Sequence, residues 1–260
     1  MDIKYELTNK IKEFLENALL TEISIGCSDS KVIKIEKQDN IYYLKIAQKG
    51  ILTIEYEKLI WLNGKLVVPE VIMYEIEDNI EYIITKSLEG EMLCSNYYLK
   101  DNNWKLGIPI IIESLKELYK IDISTCPYNV SSDYKLELVK NNIDNNLIDI
   151  NNISSEVIEK FKTPENIYNY LKENKIEEEL TFTHGDISLP NIFAHKNKFS
   201  GFIDIGECGI ADKWFDLAIL TKTLKRNYGE ESIDILFKEL GIEKDNKKIN
   251  YYLLLMELYL

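Results

Sequence analysis

Residues 181–193 read Thr-Phe-Thr-His-Gly-Asp-Ile-Ser-Leu-Pro-Asn-Ile-Phe, and residues 204–206 read Asp-Ile-Gly. Asp186 and Asn191 are five positions apart, and Asp204 follows Asn191 by thirteen. Between them lie two short apolar runs, 191–195 and 199–204, separated by a polar turn over 196–198. These runs predict a β-hairpin, which would bring Asn191 and Asp204 to the same end. Carboxylate and amide oxygens at that end would suit a hard cation such as Mg²⁺.

The order and spacing of these side chains follow the protein-kinase layout, in which a catalytic Asp precedes an Asn by five residues and a second Asp lies in a later Asp-x-Gly. One carboxylate faces the acceptor hydroxyl, while the amide and the second carboxylate hold the metal that bridges the phosphates. His-Gly-Asp alone also forms ordinary turns, so the prediction depends on the combination. The combination predicts a phosphoryl-transfer site with Asp186 as catalytic residue and Asn191 and Asp204 as metal ligands.

The chain is acidic, with 44 Asp and Glu against 31 Lys and Arg and a formal net charge of -13 over 260 residues. A nucleic-acid partner would require a basic face to neutralise phosphates, so none is expected. An acidic cleft would instead raise the local concentration of a polycationic small-molecule substrate. The alternative is that the charge serves only solubility.

The four cysteines form no Cys-x-x-Cys pair and have only two histidines as companions, so no zinc site is predicted. No cationic leader precedes a long apolar stretch, and no segment approaches 18 apolar residues. We therefore expect no membrane partner and a reduced, cytoplasmic protein. The sequence leaves the oligomeric state open between monomer and dimer.

The order of predicted elements indicates an α+β, bilobal chain with a β-rich N-lobe over residues 1–88 and a mainly helical C-lobe over residues 89–260. A first helix is predicted over 3–20 and another over 52–62. Strands are predicted over 24–27, 31–36, 41–47, 71–76 and 80–85. Later helices are predicted over 104–119, 134–142, 164–173, 214–226, 231–240 and 249–260, and the Asn-rich stretch 141–152 is predicted to be a loop.

Lys45 is the best candidate for a cation on nucleotide phosphates. It lies in the predicted strand Ile41-Tyr-Tyr-Leu-Lys-Ile-Ala47, whose alternation places Tyr43 on the same face. An edge lysine pointing to water is the alternative. Lys45 would need an orienting carboxylate from the following helix. Glu55 is preferred and Glu57 is the competitor, and only one of them can face the cleft because they lie about 200° apart around a helix.

These residues together resemble the aminoglycoside phosphotransferases, and most closely the 3'-phosphotransferases of Gram-positive type. The resemblance covers nearly the whole chain. Its densest parts are Trp61-Leu-Asn-Gly-Lys-Leu-Val-Val-Pro69, Ile121-Asp-Ile-Ser-Thr-Cys-Pro-Tyr128, Glu177 to Asp186, Phe199 to Asp216, and Tyr251-Tyr-Leu-Leu-Leu-Met-Glu-Leu258. The resemblance implies a eukaryotic-protein-kinase-like fold, MgATP as donor with GTP possible, and transfer of the γ-phosphoryl group to an aminoglycoside hydroxyl, the 3'-hydroxyl first among them.

The same resemblance implies a nucleotide site in the N-lobe. In it, Lys45 and Glu55 match the phosphate-binding pair, and Tyr43 matches the ring that stacks on adenine. The segment after the last strand of the N-lobe is similar to the hinge that bonds adenine through its backbone. The remaining residues implied here are the loop serine Ser28 and the hinge residues Thr85, Lys86 and Leu88.

The acceptor side of the resemblance places Asp186 at the substrate hydroxyl. It also implies two carboxylates, Glu156 and Glu257, that bind the ammonium groups of the drug by charge-assisted hydrogen bonds. One departure from the family pattern is Glu207, which stands where an arginine usually follows Asp-x-Gly. A small-metabolite kinase acting on choline, homoserine or a sugar, and a nucleotide-binding pseudokinase, are the alternative functions.

Overall fold

The computed structural model describes residues 7–23 and 30–259. The chain divides into two compact units. The first comprises Met1–Gly90 together with Ser200–Gly206, and the second comprises Glu91–Phe199 and Glu207–Leu260. The short segment 200–206, which holds Asp204, therefore groups with the N-terminal unit although it lies far along the chain.

The first unit is built on an antiparallel sheet of five described strands in the order β1-β2-β3-β5-β4. The strands are β1 (Leu19–Ile23), β2 (Lys31–Lys37), β3 (Asn40–Gln48), β4 (Val71–Glu77) and β5 (Ile80–Lys86). Helix α1 (Asn9–Leu15) precedes the sheet, and α2 (Thr53–Leu62) lies between β3 and β4 in the chain. The order of strands, helix and strands is as predicted.

Alternation along the strands separates the two faces of this sheet. Ile33, Ile35, Leu44 and Ile46 are fully buried and share a core with Ile11 of α1, which explains why the α1 side of β2 and β3 is apolar. Tyr43 and Lys45 alternate with Leu44 and Ile46 and so lie on the opposite face. The predicted orientation of β3 is confirmed.

The second unit is mainly helical. Its described helices are α3 (Asn96–Leu99), α4 (Trp104–Tyr119), α5 (Ser132–Asp144), α6 (Ser155–Phe161), α7 (Pro164–Glu173), α8 (Lys213–Asn227), α9 (Glu230–Leu240) and α10 (Asn246–Tyr259). Its short strands are β6 (Glu91–Met92), β7 (Leu180–Thr183), β8 (Ile192–His195), β9 (Lys198–Phe202) and β10 (Gly209–Asp212), of which β9 continues into the first unit. β7 pairs with β10, while β6, β8 and β9 form a second small sheet. The expectation of a β-rich first part and a helical second part is confirmed.

The first predicted helix, over 3–20, is too long within the described residues: Thr8 is the N-cap of the observed helix, and residues 1–6 lie outside the described residues. The helix is observed only over Asn9–Leu15, because Asn17 adopts a left-handed backbone (φ 60°) and β1 begins at Leu19. Apolar residues at helical spacing continue past Asn17, so periodicity alone could not mark this end. The predicted strand over 24–27 lies outside the described residues.

The Asn-rich stretch is only partly a loop. Helix α5 continues to Asp144, and the side-chain Nδ2 of Asn145 caps its end by donating to the Asn141 backbone carbonyl at 2.8 Å. Asp149 then caps a short 3₁₀ turn over Ile150–Asn152. Asparagine is unfavourable inside helices but favourable at caps, which is why composition suggested a loop here. Among the described helices, none is both long and apolar enough to cross a membrane.

Candidate active site

Lys45 lies in a cluster of opposite charges within the first unit. Its Nζ is 2.7 Å from Glu55 Oε1 and 2.9 Å from Glu55 Oε2. Asp204 Oδ1 lies 3.5 Å away on the other side. Burial alone would lower the pKa of the Lys45 ammonium, but the two carboxylates outweigh burial and raise that pKa. Lys45 is therefore a permanent cation, and the predicted pairing with Glu55, in preference to Glu57, is confirmed.

The position of Glu55 is fixed by a buried carboxylate that the sequence analysis did not identify. Glu81 of β5 is fully buried and accepts the first backbone amides of α2, from Leu52 at 2.6 Å and Thr53 at 3.1 Å. It also accepts the hydroxyls of Thr53 and Tyr74. Glu81 thus caps the helix whose first turn carries Glu55. The sequence signal that could have identified this buried carboxylate is a glutamate between Ile80 and Tyr82 in a mainly apolar strand.

Asp204 is held by bonds within the same unit. Its backbone is left-handed (φ 58°), a conformation that Asp tolerates better than most residues. The buried Lys58 of α2 donates to the Gly206 carbonyl at 2.6 Å, and the Phe202 amide donates to the Val67 carbonyl at 2.9 Å. Lys58 was also missed by the sequence analysis. These contacts fix both sides of the segment from which the Asp204 carboxylate projects, and that side chain is about half exposed at 57%.

Strand pairing shows where the other predicted nucleotide residues lie. Tyr43 and Thr85 are direct cross-strand partners, so their side chains share the face that carries Lys45. Lys86 is paired with Tyr42 and lies on the other face, while its backbone amide donates to the Glu70 carbonyl at 2.9 Å. Leu88 approaches Gly201 so closely that a Cβ there would lie 2.8 Å from it. Ser28 lies outside the described residues.

In the second unit, Asp186 and Asn191 are joined directly. Asn191 is almost fully buried, and its Nδ2 donates at 2.8 Å to the Asp186 carbonyl and at 2.8 Å to Asp186 Oδ2. A 3₁₀ turn over Leu189–Asn191, which contains Pro190, brings Asn191 back to Asp186 five residues earlier. Because both bonds use the amide nitrogen, the amide oxygen is the end available to a cation.

The backbone that leads to Asp186 is held by a buried aspartate. Asp216 of α8 accepts the His184 amide at 2.8 Å and the Gly185 amide at 2.9 Å. Burial raises the pKa of the Asp216 carboxyl to about 6, against these hydrogen bonds, which lower it. His184 is fully buried, and its Nδ1 accepts the Asp186 amide at 3.2 Å. Asp216 and His184 thus both hold the backbone of residues 184–186.

Gly185 is required by its conformation and by its neighbour. Its φ is +85°, and a Cβ at this position would lie 2.3 Å from the carbonyl oxygen of Glu207. No side chain larger than hydrogen fits without movement of backbone. The loop over 184–186, the candidate catalytic loop, therefore lies directly against Glu207.

Glu156 and Glu257 line one cavity of about 550 Å³ in the second unit. Glu156 lies in the first turn of α6, and Glu257 Oε2 accepts the backbone amide of Ser154 at 2.6 Å. The structure thus brings the two predicted substrate carboxylates together. Lys160 and Lys247 line the same cavity, so its charge is mixed and not uniformly acidic.

A family model described as "Phosphotransferase enzyme family" matches residues 20–248. An aminoglycoside 3'-phosphotransferase from Enterococcus faecalis is 36% identical over 98% of this chain and 99% of its own length. The chain belongs to the aminoglycoside phosphotransferase family. A similarly named protein from Campylobacter jejuni is 34% identical to this phosphotransferase over 94% of the chain and 98% of the relative.

Solved structures agree on the fold. A crystal structure of an aminoglycoside 3'-phosphotransferase of type VIII superposes with a TM-score of 0.82 at 20% identity, covering 96% of this chain and 97% of that one. A Streptomyces rimosus aminoglycoside phosphotransferase solved with ADP and streptomycin gives 0.78 at 18% identity, over 96% of both chains. At this identity the likeness concerns the fold alone. The predicted kinase-like α+β fold is confirmed.

Each of the two units offers a hard oxygen ligand of the kind that a magnesium ion prefers. In the first unit it is the half-exposed Asp204 carboxylate, and in the second unit it is the Asn191 amide oxygen. Within residues 7–23 and 30–259, no group of three or more His, Cys, Asp or Glu side chains could hold a metal by itself. Mg²⁺ is commonly bound by one or two carboxylates plus substrate phosphates, so the Asp204 carboxylate suits an ion that arrives with a nucleotide.

Proposed function

We propose that this chain is an ATP-dependent aminoglycoside 3'-phosphotransferase, which transfers the γ-phosphoryl group of MgATP to the 3'-hydroxyl of an aminoglycoside. The observation that carries the proposal is the position of Lys45 between Glu55 and Asp204, within 2.7 Å and 3.5 Å of their carboxylates. A lysine held by a helix glutamate beside the aspartate of Asp-x-Gly is the arrangement that orients nucleotide phosphates in kinase-like enzymes. The full-length relatives named aminoglycoside 3'-phosphotransferase support the choice of acceptor and hydroxyl.

The nucleotide side of the site uses the first unit. Lys45 neutralises charge on the phosphates, Glu55 holds its ammonium in place, and Tyr43 offers a ring to adenine on the same face. Thr85, Lys86 and Leu88 supply the hinge, with the Lys86 amide already engaged by Glu70. Asp204 and Asn191 would hold magnesium, which stabilises the negative charge that develops on the transferred group when it is bound. The Streptomyces enzyme solved with ADP supports a nucleotide donor.

The acceptor side of the site uses the second unit. Asp186 Oδ2 is oriented by Asn191, so the carboxylate is aimed before the substrate arrives. Asp186 accepts the hydrogen bond of the acceptor hydroxyl and takes its proton as the new P–O bond forms. Glu156 and Glu257 bind ammonium groups of the drug. Lys160 and Lys247 in the same cavity would repel an extra ammonium, which favours acceptors whose charges reach the two glutamates and avoid the lysines.

The test is an ADP-release assay with MgATP and a panel of kanamycin, neomycin, choline, homoserine and no acceptor. Turnover that depends on the aminoglycosides is expected, and ³¹P–¹H NMR of the product should place the phosphate on the 3'-oxygen through its coupling to the proton on the 3'-carbon. A kanamycin-type acceptor that lacks the 3'-hydroxyl is the matched control and should give no turnover. Turnover with choline or homoserine alone would move the protein to the small-metabolite kinases, and tight ATP binding with no turnover would favour the pseudokinase.

The role of Asp186 has its own test. In Asp186→Asn the side-chain oxygen can still accept the hydrogen bond from Asn191 Nδ2, but the proton acceptor is lost. We therefore expect kcat to fall by about 10²–10⁴-fold while the affinity for MgATP stays within threefold. Titration calorimetry with a non-hydrolysable ATP analogue measures the affinity. Equal turnover of this variant and the unmodified enzyme would refute Asp186 as the base.

A further inference from the structure

The side chain of Glu207 accepts a hydrogen bond from the C-terminal helix α10. The hydroxyl of Tyr259, the last residue of α10, donates to Glu207 Oε2. The backbone of Glu207 lies against Gly185 of the catalytic loop, since a Cβ on that glycine would lie 2.3 Å from its carbonyl oxygen. The carboxylate that follows Asp204-Ile-Gly206 is therefore bonded to the C-terminal helix.

The ring of Tyr259 makes a second attachment. The buried Lys135 of α5 places its Nζ 4.2 Å from the Tyr259 ring centroid and 4.5 Å from that of Phe215. A cation between two aromatic faces is attracted by both. Phe215 immediately precedes Asp216, which holds the catalytic loop. Tyr259 is thus attached by its ring to the α5–α8 core and by its hydroxyl to Glu207.

The same helical turn carries a substrate carboxylate. Glu257 lies two residues before Tyr259 and accepts the Ser154 amide at 2.6 Å, at the start of the helix that carries Glu156. A helix end has several unsatisfied carbonyls and frays readily unless it is attached. The Tyr259 contacts attach the end of this last turn, next to the buried side chains of Met256 and Leu258.

We propose that Tyr259 is a positioning residue for the acceptor: its bond to Glu207 and its ring contact with Lys135 fix the last turn of α10, so that Glu257 and Glu156 meet the ammonium groups of the substrate together. This inference rests on the proposed aminoglycoside kinase function. Glu207 serves as an anchor for the C-terminal helix and makes no contribution to phosphate binding. The pair sets acceptor affinity and leaves the nucleotide side unchanged.

The test compares Tyr259→Phe, Glu207→Ala, the double variant, and Tyr98→Phe. Tyr98 is a buried tyrosine whose hydroxyl donates at 3.2 Å to Asn197 in the β8–β9 turn, so Tyr98→Phe removes a comparable bond away from α10. Tyr259→Phe should raise KM for kanamycin by about tenfold, because a bond to a charged group is lost while the ring contact stays. kcat should stay within threefold and KM for ATP within twofold.

Coupling and a conservative variant sharpen the assignment. The double variant should be no worse than Glu207→Ala alone, since both remove one bond, and Glu207→Gln, which keeps an acceptor oxygen, should fall between the unmodified enzyme and Glu207→Ala. The proposal is overturned if KM for ATP or kcat changes as much as KM for kanamycin, if the single effects multiply in the double variant, or if Tyr98→Phe behaves like Tyr259→Phe.

Amide hydrogen exchange separates failure of this inference from failure of the proposed function. Tyr259→Phe should accelerate exchange in 253–259 and in 154–158 by about tenfold, whether or not an aminoglycoside is the substrate. Unchanged exchange in both segments would refute the anchoring role. Accelerated exchange in an enzyme without aminoglycoside turnover would instead keep the anchor and reject the acceptor.

Discussion

Replacing Glu81 should separate the capping of α2 from the chemistry of Lys45. The donors to this carboxylate include the amides of Leu52 and Thr53 and the hydroxyls of Thr53 and Tyr74. Glu81→Leu removes every acceptor at once. The hydroxyls can rotate toward other partners, but the two amides are fixed by the helix, and each buried donor left unpaired costs about 1–3 kcal/mol. We therefore expect a loss of about 4 kcal/mol in the stability of the first unit.

Glu81→Gln should be much milder. The side-chain oxygen of the glutamine can accept the hydrogen bonds of the Leu52 and Thr53 amides. Its NH₂ group then faces the Thr53 and Tyr74 hydroxyls, which can rotate and accept a hydrogen bond from it. Only the charge assistance is lost, so the expected cost is about 1–2 kcal/mol. The pKa of Glu81 is lowered because its hydrogen bonds outweigh burial, which would raise it. Its contribution is thus present at neutral pH and is lost as the pH falls through the folded-state value, a loss that Glu81→Gln should not show.

The assay is amide exchange across α2 combined with urea unfolding, with the exposed Glu77→Gln at the end of β4 as control. Protection at Leu52 and Thr53 should fall about tenfold for each 1.4 kcal/mol lost. KM for ATP should rise with the same ranking of variants, because α2 carries Glu55. The reasoning is refuted if Glu81→Leu unfolds within 1 kcal/mol of the unmodified protein, or if Glu81→Gln is as damaging as Glu81→Leu.

Three further outcomes are expected. Lys45→Met should raise KM for ATP at least tenfold in steady-state kinetics with KM for the acceptor unchanged, and an unaltered KM for ATP would contradict the phosphate role. Gly185→Ala should lower the free energy of unfolding in urea by about 3 kcal/mol or more and abolish turnover. The control is Gly229→Ala, which has a similar φ of +87° but open space around it and should cost about 1–2 kcal/mol. Equal costs would exclude the contact with Glu207 as the cause. The folded-state pKa of Asp216 is raised to about 6, so the stability from its protonation is fully present below the unfolded-state pKa and is lost as the pH rises through 6. Asp216→Asn should therefore flatten the profile of unfolding free energy between pH 4 and 7. An unchanged profile would exclude Asp216 as the source of this pH dependence.

Local patterns in the sequence were sufficient for most of the fold and for the charged residues of the site. Strand alternation assigned the face of Lys45, and helical rotation showed that only one of Glu55 and Glu57 could reach it, because both depend on fixed periods of the backbone. The five-residue spacing of Asp186 and Asn191 is likewise a local property, closed by Pro190 and the turn that follows. These predictions needed no knowledge of distant contacts.

The residues that sequence reasoning missed act over long separations. Glu81 meets the start of α2 from 28 and 29 positions away, and Lys58 meets Gly206 from 148. Lys135 looks like any helix lysine in the sequence, yet it lies buried between the rings of Phe215 and Tyr259. No periodicity indicates such pairs, because each depends on which elements meet in three dimensions. The prediction for the end of α1, which stops at Leu15, failed for a different reason, since the left-handed Asn17 overrode a continuing apolar pattern.

The grouping of Ser200–Gly206 with the N-terminal unit has a consequence for recombination between relatives. A chimera that exchanges residues 1–90 alone would give the new Lys45 an Asp204 from another parent, and would leave the Lys58 bond to Gly206 and the Val67 bond to Phe202 to form across unmatched sequences. The exchangeable module is therefore discontinuous: 1–90 together with 200–206. Natural variation at these seven late positions should follow that of the N-terminal sheet more closely than that of the flanking helices.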